Sequence, residues 1–267
     1  MSVSFMRLNK KFLRSFVVIV IAFVTLLGLS DLIFVLSGVF DKINKNPSEK
    51  IMEKVSLKTE DGRVLAANYF EVTNPEGWVL YLHMMPATKE SFNDLAQKLA
   101  QKRFAGLALD LRGHGESEGG PQGYLSFSDK EHQDSYFDVL AGIDFLKSRG
   151  ATEEKIYLVG ASIGANLALK YLAQHPQARG GVLLSPGINY RGITTRDLVV
   201  HLSTSSRVIF LASRDDGDNA SEVEELFALV PEGVKKEKII LENAGHGTKI
   251  LENEAWVTER IIDFLTQ

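Results

Sequence analysis

The 267-residue chain has no cysteine. Disulfides, thiolate metal sites and a cysteine nucleophile are therefore excluded, as is anchoring through a lipid-modified cysteine. Internal repeats and low-complexity stretches are also missing. An excess of positive charge is lacking as well, since formal net charge is −4. Residues 1–42 hold five Lys/Arg and two Asp/Glu, leaving 25 against 32, or −7, for residues 43–267. An acidic body argues against nucleic acid as a partner. With 45% hydrophobic residues, the chain has enough apolar material for one large α/β domain and a short appendage.

What is present divides near residue 43. Arg7, Lys10, Lys11 and Arg14 precede an uncharged run at 15–30, and apolar residues continue past a lone Asp31 to Phe40. Residues 15–40 are long enough to cross a bilayer with one intramembrane charge. Basic residues ahead of the span favour a cytoplasmic N-terminus with the body outside. The expectation for 1–43 is an uncleaved signal anchor, single-pass in a bacterial inner membrane, with the body in the periplasm. The alternatives are a signal peptide, cleaved to secrete the body, and a buried core helix. Small residues at Gly28 and Ser30 fit cleavage, but no A-x-A site accompanies them. Residues 44–50 read as a polar linker, and 51–267 as the globular body.

Within 51–267, strand-like and helix-like segments alternate. Residues 54–59 and 64–70 flank Glu60-Asp61-Gly62, a hairpin signal. Short apolar runs at 78–83, 105–109, 156–159, 181–184, 208–212 and 238–241 read as strands. Helical spacing of apolar residues appears at 89–102, 130–149, 165–173, 221–229 and 253–265. This order predicts a mostly parallel sheet with helices on both faces, opened by an antiparallel hairpin. Sites in such sheets form at the C-terminal ends of the strands.

One such end carries Gly160-Ala161-Ser162-Ile163-Gly164, a G-x-S-x-G sequence between an apolar strand and a helix. A serine hydroxyl is a poor nucleophile unless it is exposed, aimed and given a base. A sharp strand-to-helix turn aims it, and the two glycines leave room for the crowded backbone. The helix start offers a free N–H at Ile163 to a developing oxyanion. For the base, His246 stands between Gly245 and Gly247, straight after the last strand. His83 ends a strand beside the expected site and reads as a shaper of the oxyanion loop. His114 reads as structural, and His132, His175 and His201 as surface or helix-end residues. An orienting carboxylate is expected just after strand 208–212, where Asp215, Asp216 and Asp218 stand. Asp216 is the first choice and Asp215 the alternative.

Ser162, Asp216 and His246 follow one another in an order that resembles the α/β-hydrolase superfamily. Asp110-Leu111-Arg112-Gly113-His114-Gly115-Glu116-Ser117 is similar to that family's D-x-R-G-x-G-x-S loop after the fourth strand. Leu80-Tyr81-Leu82-His83, followed by Met84-Met85-Pro86, is similar to its oxyanion strand and loop. The similarity covers roughly 51–267, and its compact layout resembles bacterial esterases of the dienelactone-hydrolase-like group. Ser162 stands where true dienelactone hydrolases use cysteine. The resemblance implies that the backbone N–H of Met85 joins that of Ile163 as an oxyanion donor. Met84 departs from the glycine usual in the family at that position, and no H-G-G-G pattern is present.

Many relatives insert a helical lid after the sixth strand, whereas here only residues 186–206 intervene, with Asn189-Tyr190-Arg191-Gly192 at the rim. That predicts an open, shallow site, with Arg191 and Arg196 as solvated charges and recognition of an acidic substrate group as their alternative role. The implied activity is serine hydrolysis of carboxylic esters with short or medium acyl chains, through an acyl-enzyme and without metal or organic cofactor. The implied partners are a small-molecule ester and, through the N-terminal segment, a membrane. An acyltransferase or thioesterase using the same triad is the first alternative. A non-catalytic, membrane-tethered binding protein of the same fold is the second.

Overall fold

The computed structural model describes residues 52–267. The expected anchor at 1–43 and linker at 44–50 lie outside the described residues. Among the described residues, no helix is long and apolar enough to cross a membrane.

Eight strands form one sheet: β1 (Met52–Lys58), β2 (Val64–Phe70), β3 (Gly77–Leu82), β4 (Phe104–Leu109), β5 (Ile156–Ala161), β6 (Gly180–Leu184), β9 (Arg207–Ser213) and β10 (Lys235–Leu241). Their order is β1-β2-β4-β3-β5-β6-β9-β10. The β1–β2 and β2–β4 pairs are antiparallel, and every later pair is parallel. Between β6 and β9 lie a two-stranded hairpin, β7 (Asn189–Tyr190) and β8 (Ile193–Thr194), and a single helical turn, α5 (Arg196–Val199). The remaining helices are α1 (Asn93–Gln101), α2 (Asp129–Asp134), α3 (Tyr136–Ser148), α4 (Ile163–Gln174), α6 (Asn219–Leu229), α7 (Lys249–Asn253) and α8 (Ala255–Thr266).

Strand alternation splits the core between the two faces of the sheet. On β3, Trp78, Leu80 and Leu82 join one cluster with Val139, Ile143 and Leu146 of α3, Leu167 and Leu172 of α4, and Leu226 of α6. Val79 and Tyr81 of the same strand face the other cluster, with Leu95 and Leu99 of α1 and Val257, Ile261 and Phe264 of α8. Burying each such side chain stabilises the fold by roughly 1.5–3 kcal/mol. Because β3, β4 and β5 are covered on both faces, they read as continuous apolar runs.

Most elements lie within two residues of the sequence-based boundaries, and three differ in a way that has a physical reason. The helix expected from residue 89 begins as a 3-10 turn, Lys89–Phe92, before α1. The helix expected over 130–149 is broken at Ser135. There the Ser135 and Asp138 N–H groups bond three residues back, to the His132 and Ser135 carbonyls, interrupting the four-residue ladder. A capping box between Ser128 and Glu131 starts α2 independently. Finally, β10 begins at Lys235 rather than 238. Its first residues, Lys235, Lys236 and Glu237, hide an edge strand under charge, which protects the open edge from pairing.

Candidate active site

The residues singled out from sequence gather at the C-terminal ends of the parallel strands. Ser162 follows β5 with φ 53 and ψ −119, in the positive-φ region that a side-chain-bearing residue enters only when its surroundings hold it there. Its N–H donates to the Leu184 carbonyl of β6 at 2.8 Å, and its carbonyl accepts from the N–H groups of Ala165 and Asn166. The turn is tight enough to require glycine twice. A Cβ on Gly160 would run into the Gly164 carbonyl and Ala165, and one on Gly164 would meet the Leu82 and His83 carbonyls. Close packing of α4 on β3 thus brings Ile163, the first residue of α4, beside the loop that follows β3. The first N–H groups of a helix have no partner within it.

Asp216 and His246 meet across the loops after β9 and β10. Nδ1 of His246 and Oδ2 of Asp216 are 2.5 Å apart, with the side chains 32% and 20% exposed. Asp215 is occupied otherwise. It accepts from the Ser213 hydroxyl and, at 3.1 Å, from the Gly245 N–H. Ser213 in turn accepts the Ala244 N–H at 2.8 Å. The Ser213 bond, helped by Gly245, holds the Asp215 carboxyl below its usual range. Of the two neighbouring carboxylates, one grips the histidine ring and the other grips the backbone that carries it.

The loop after β3 is fixed from beneath by His83, which is fully buried. Its Nδ1–H donates to the Met84 carbonyl at 2.9 Å, and its Nε2 accepts the Leu111 N–H at 3.0 Å. An accepting Nε2 requires a neutral ring. Burial, followed by the neighbouring His114, pushes the His83 pKa down to about 3. Met84 is buried, with its thioether packed against Gly247 of the histidine loop, where any side chain on residue 247 would collide with it. Methionine at this position therefore couples the loop after β3 to the loop after β10. Met85 follows at the surface of the same loop, partly buried against the core.

Several supports were illegible in sequence. The Asp110 carboxylate, wholly buried, accepts from the Lys89 N–H at 2.8 Å, the Lys89 ammonium at 2.6 Å and the Glu116 N–H at 2.9 Å. Arg112 donates to Asp138 on α3 and to Asp61 in the β1–β2 turn. These bonds hold Asp61 down to about 2. His114 is structural as expected, its Nδ1 on the Arg112 carbonyl and its ring stacked on Tyr124 at 4.0 Å. His175 ends α4, stacked on Tyr171. His132 departs from the surface reading, being buried against Phe127. Ser185, directly after β6, accepts the Gly247 N–H at 2.9 Å and ties the histidine loop to the centre of the sheet. A serine at the C-terminal end of β5, β6 and β9 (Ser162, Ser185, Ser213) is the sequence signal that points to the Ser185 and Ser213 anchors. Arg196 is spent on a two-toothed ion pair with Glu225.

Comparison with known proteins agrees with this fold. The family model described as serine aminopeptidase, S33, matches residues 73–224, from just before β3 into α6, and so includes Ser162 and Asp216. A probable alcohol acetyltransferase of Cyberlindnera fabianii is 32% identical over 112 residues, 41% of this chain but only 27% of that protein. The chain thus spans little more than a quarter of that curated relative. Among solved structures, a Pyrococcus furiosus esterase superposes with a TM-score of 0.67 at 20% identity, covering 80% of this chain and 91% of that one. A dienelactone hydrolase of Anabaena variabilis gives 0.61 at 16%, covering 81% and 96%. At such identities the two structures speak for the fold. With more than half its length matched by the family model, the chain belongs to the serine aminopeptidase S33 family and carries the α/β-hydrolase fold.

Proposed function

We propose that the protein is a serine hydrolase of carboxylic esters, with Ser162 as nucleophile, His246 as general base and acid, and Asp216 as the orienting carboxylate. The observation that carries this reading is the Asp216–His246 bond, formed at the same end of the sheet as a serine held at positive φ. Asp216 on Nδ1 leaves Nε2 to take the Ser162 proton as the hydroxyl attacks a carbonyl carbon. The N–H groups of Ile163 and Met85 receive the developing oxyanion. His246 then protonates the departing alcohol, and water repeats the sequence on the acyl-enzyme. The short connection between β6 and β9 supports a preference for short or medium acyl chains over a long peptide cleft. The test is hydrolysis of an acyl-chain series. Ser162→Ala should lower turnover by at least about 10³-fold, and undiminished hydrolysis by that variant would sink the proposal.

The similarity to a probable alcohol acetyltransferase gives a second reading some support. Transfer to an alcohol uses the same acyl-enzyme and differs only in which nucleophile reaches it. Product analysis with a competing alcohol separates the two, a new ester marking transfer and free acid alone marking hydrolysis. For the N-terminal segment we keep the signal-anchor proposal, which places the site outside the cytoplasm. Protease accessibility of the body in intact spheroplasts would test it, and protection from added protease would count against it.

A further inference from the structure

Tyr190 has no part in the triad, yet the segment between β6 and α5 is built around it. Its hairpin is anchored from the nucleophile helix. Asn166, one turn after Ser162, donates to the Ile193 carbonyl at 2.9 Å and accepts the Gly187 N–H at 3.0 Å. Thr195 closes the segment from the other end, with its hydroxyl on the Gly187 carbonyl at 2.7 Å. Gly187 lies flat beneath the phenol ring, where a Cβ would stand 2.5 Å from Cζ. So fixed, the ring meets His246 edge-to-face with centroids 6.1 Å apart, which puts the phenol beside the histidine of the proposed triad.

The direction of the proton follows from a neighbour. Asn219 Nδ2 donates to the Pro186 carbonyl at 2.9 Å, and a carbonyl only accepts, so the amide orientation is set. The same Nδ2 lies 3.3 Å from the Tyr190 oxygen and donates to it. The phenol hydrogen is then left free for another acceptor. Burial, followed by the charges of Asp216 and Glu222, pushes the Tyr190 pKa up to about 12, so the group keeps its proton throughout the neutral range.

Sheet order decides which substrate atom meets it. The loop after β3, with Met85, flanks β5 on one side, while β6, β9 and β10, bearing Tyr190, Asp216 and His246, lie on the other. An ester seated with its carbonyl oxygen toward β3 turns its alkoxy oxygen toward β6. We propose that Tyr190 is a further catalytic residue, whose phenol donates a hydrogen bond to the alkoxy oxygen of the bound ester and keeps it as that oxygen leaves. The step rests on the serine-hydrolase reading above. The Ser162 Oγ–carbon bond forms, the carbon–alkoxy bond breaks, and its electron pair goes to the alkoxy oxygen. The proton that neutralises this oxygen comes from the His246 imidazolium, which took it from Ser162. Tyr190 gives up no proton. In deacylation the same phenol holds the attacking water, whose proton passes to His246.

The test compares ethyl and p-nitrophenyl esters of one acid in the wild type and in Tyr190→Phe, which leaves the ring on Gly187. A nitrophenolate leaves with little help, whereas an ethoxide needs its charge stabilised. The expected result is a fall in kcat/KM for both, larger by about 10-fold or more for the ethyl ester, with thermal unfolding matching the wild type. Equal losses on the two esters, or no loss on either, would overturn the proposal while leaving the triad standing. A wild-type protein that hydrolyses neither ester and takes no fluorophosphonate at Ser162 would overturn both readings.

Discussion

Asp215 and Asp216 are adjacent and chemically identical, and only their partners separate them. Asp216 takes the His246 ring, and Asp215 takes the Ser213 hydroxyl and the Gly245 N–H. Asp216→Asn should therefore reverse the favoured imidazole tautomer and lower kcat by about 10³–10⁴-fold. Asp215→Asn should cost within about 10-fold, through a looser histidine loop. Steady-state rates on one activated ester decide it, and the opposite ranking would exchange the two roles. Sequence marked the loop but left both carboxylates open, because what distinguishes them is a bond between two loops thirty positions apart. Ser162 and His246 were legible because each carries its own local signature of flanking glycines. Tyr190 appeared only as a rim residue, since nothing around it reveals that Asn219 and Gly187 orient it.

The loops after β3 and β4 are held together through His83, and this has a consequence for pH. An imidazole whose folded-state pKa of about 3 lies below the ordinary 6.5 resists protonation in the native protein. As pH falls through that interval the unfolded chain binds the extra proton, so this contribution is intact above about pH 6.5 and is lost toward pH 3. Burial lowers His114 and His132 in the same direction. Unfolding free energies from urea titrations should thus fall as pH drops from about 7 to about 5, by roughly 1 kcal/mol per pH unit below about 6.5 for His83, with His114 and His132 adding in the same direction. His83→Gln should be less stable at neutral pH but show a shallower slope, and an unchanged slope would remove His83 from this role. The crossing of α4 over β3 offers a second test. Gly164→Ala forces a methyl against the Leu82 and His83 carbonyls, destabilising the fold by about 1–3 kcal/mol and displacing the loop after β3. Unfolding midpoints and ester turnover should drop together. The strand-to-helix rhythm made these elements legible, whereas the break at Ser135 and the charged start of β10 were not. Helical spacing cannot report a three-residue hydrogen bond, and lysines on an edge strand hide its apolar alternation.

Taken as a whole chain, the two clusters on either side of the sheet give residues 52–267 a core of their own. A variant lacking residues 1–50 is expected to remain folded and hydrolytic in aqueous buffer, while the full chain partitions into detergent. Aggregation of the truncated form would show instead that the N-terminal segment is needed for folding. On this account the proposed attachment and the proposed chemistry would be separable, and the chemistry would turn on Ser162. The most direct measurement is peptide mapping by mass spectrometry after fluorophosphonate treatment of the wild type and of His246→Ala. The expected result is a single adduct on Ser162 in the wild type, strongly reduced in His246→Ala. Ester hydrolysis by the wild type with Ser162 unmodified, or with the adduct on another residue, would contradict it.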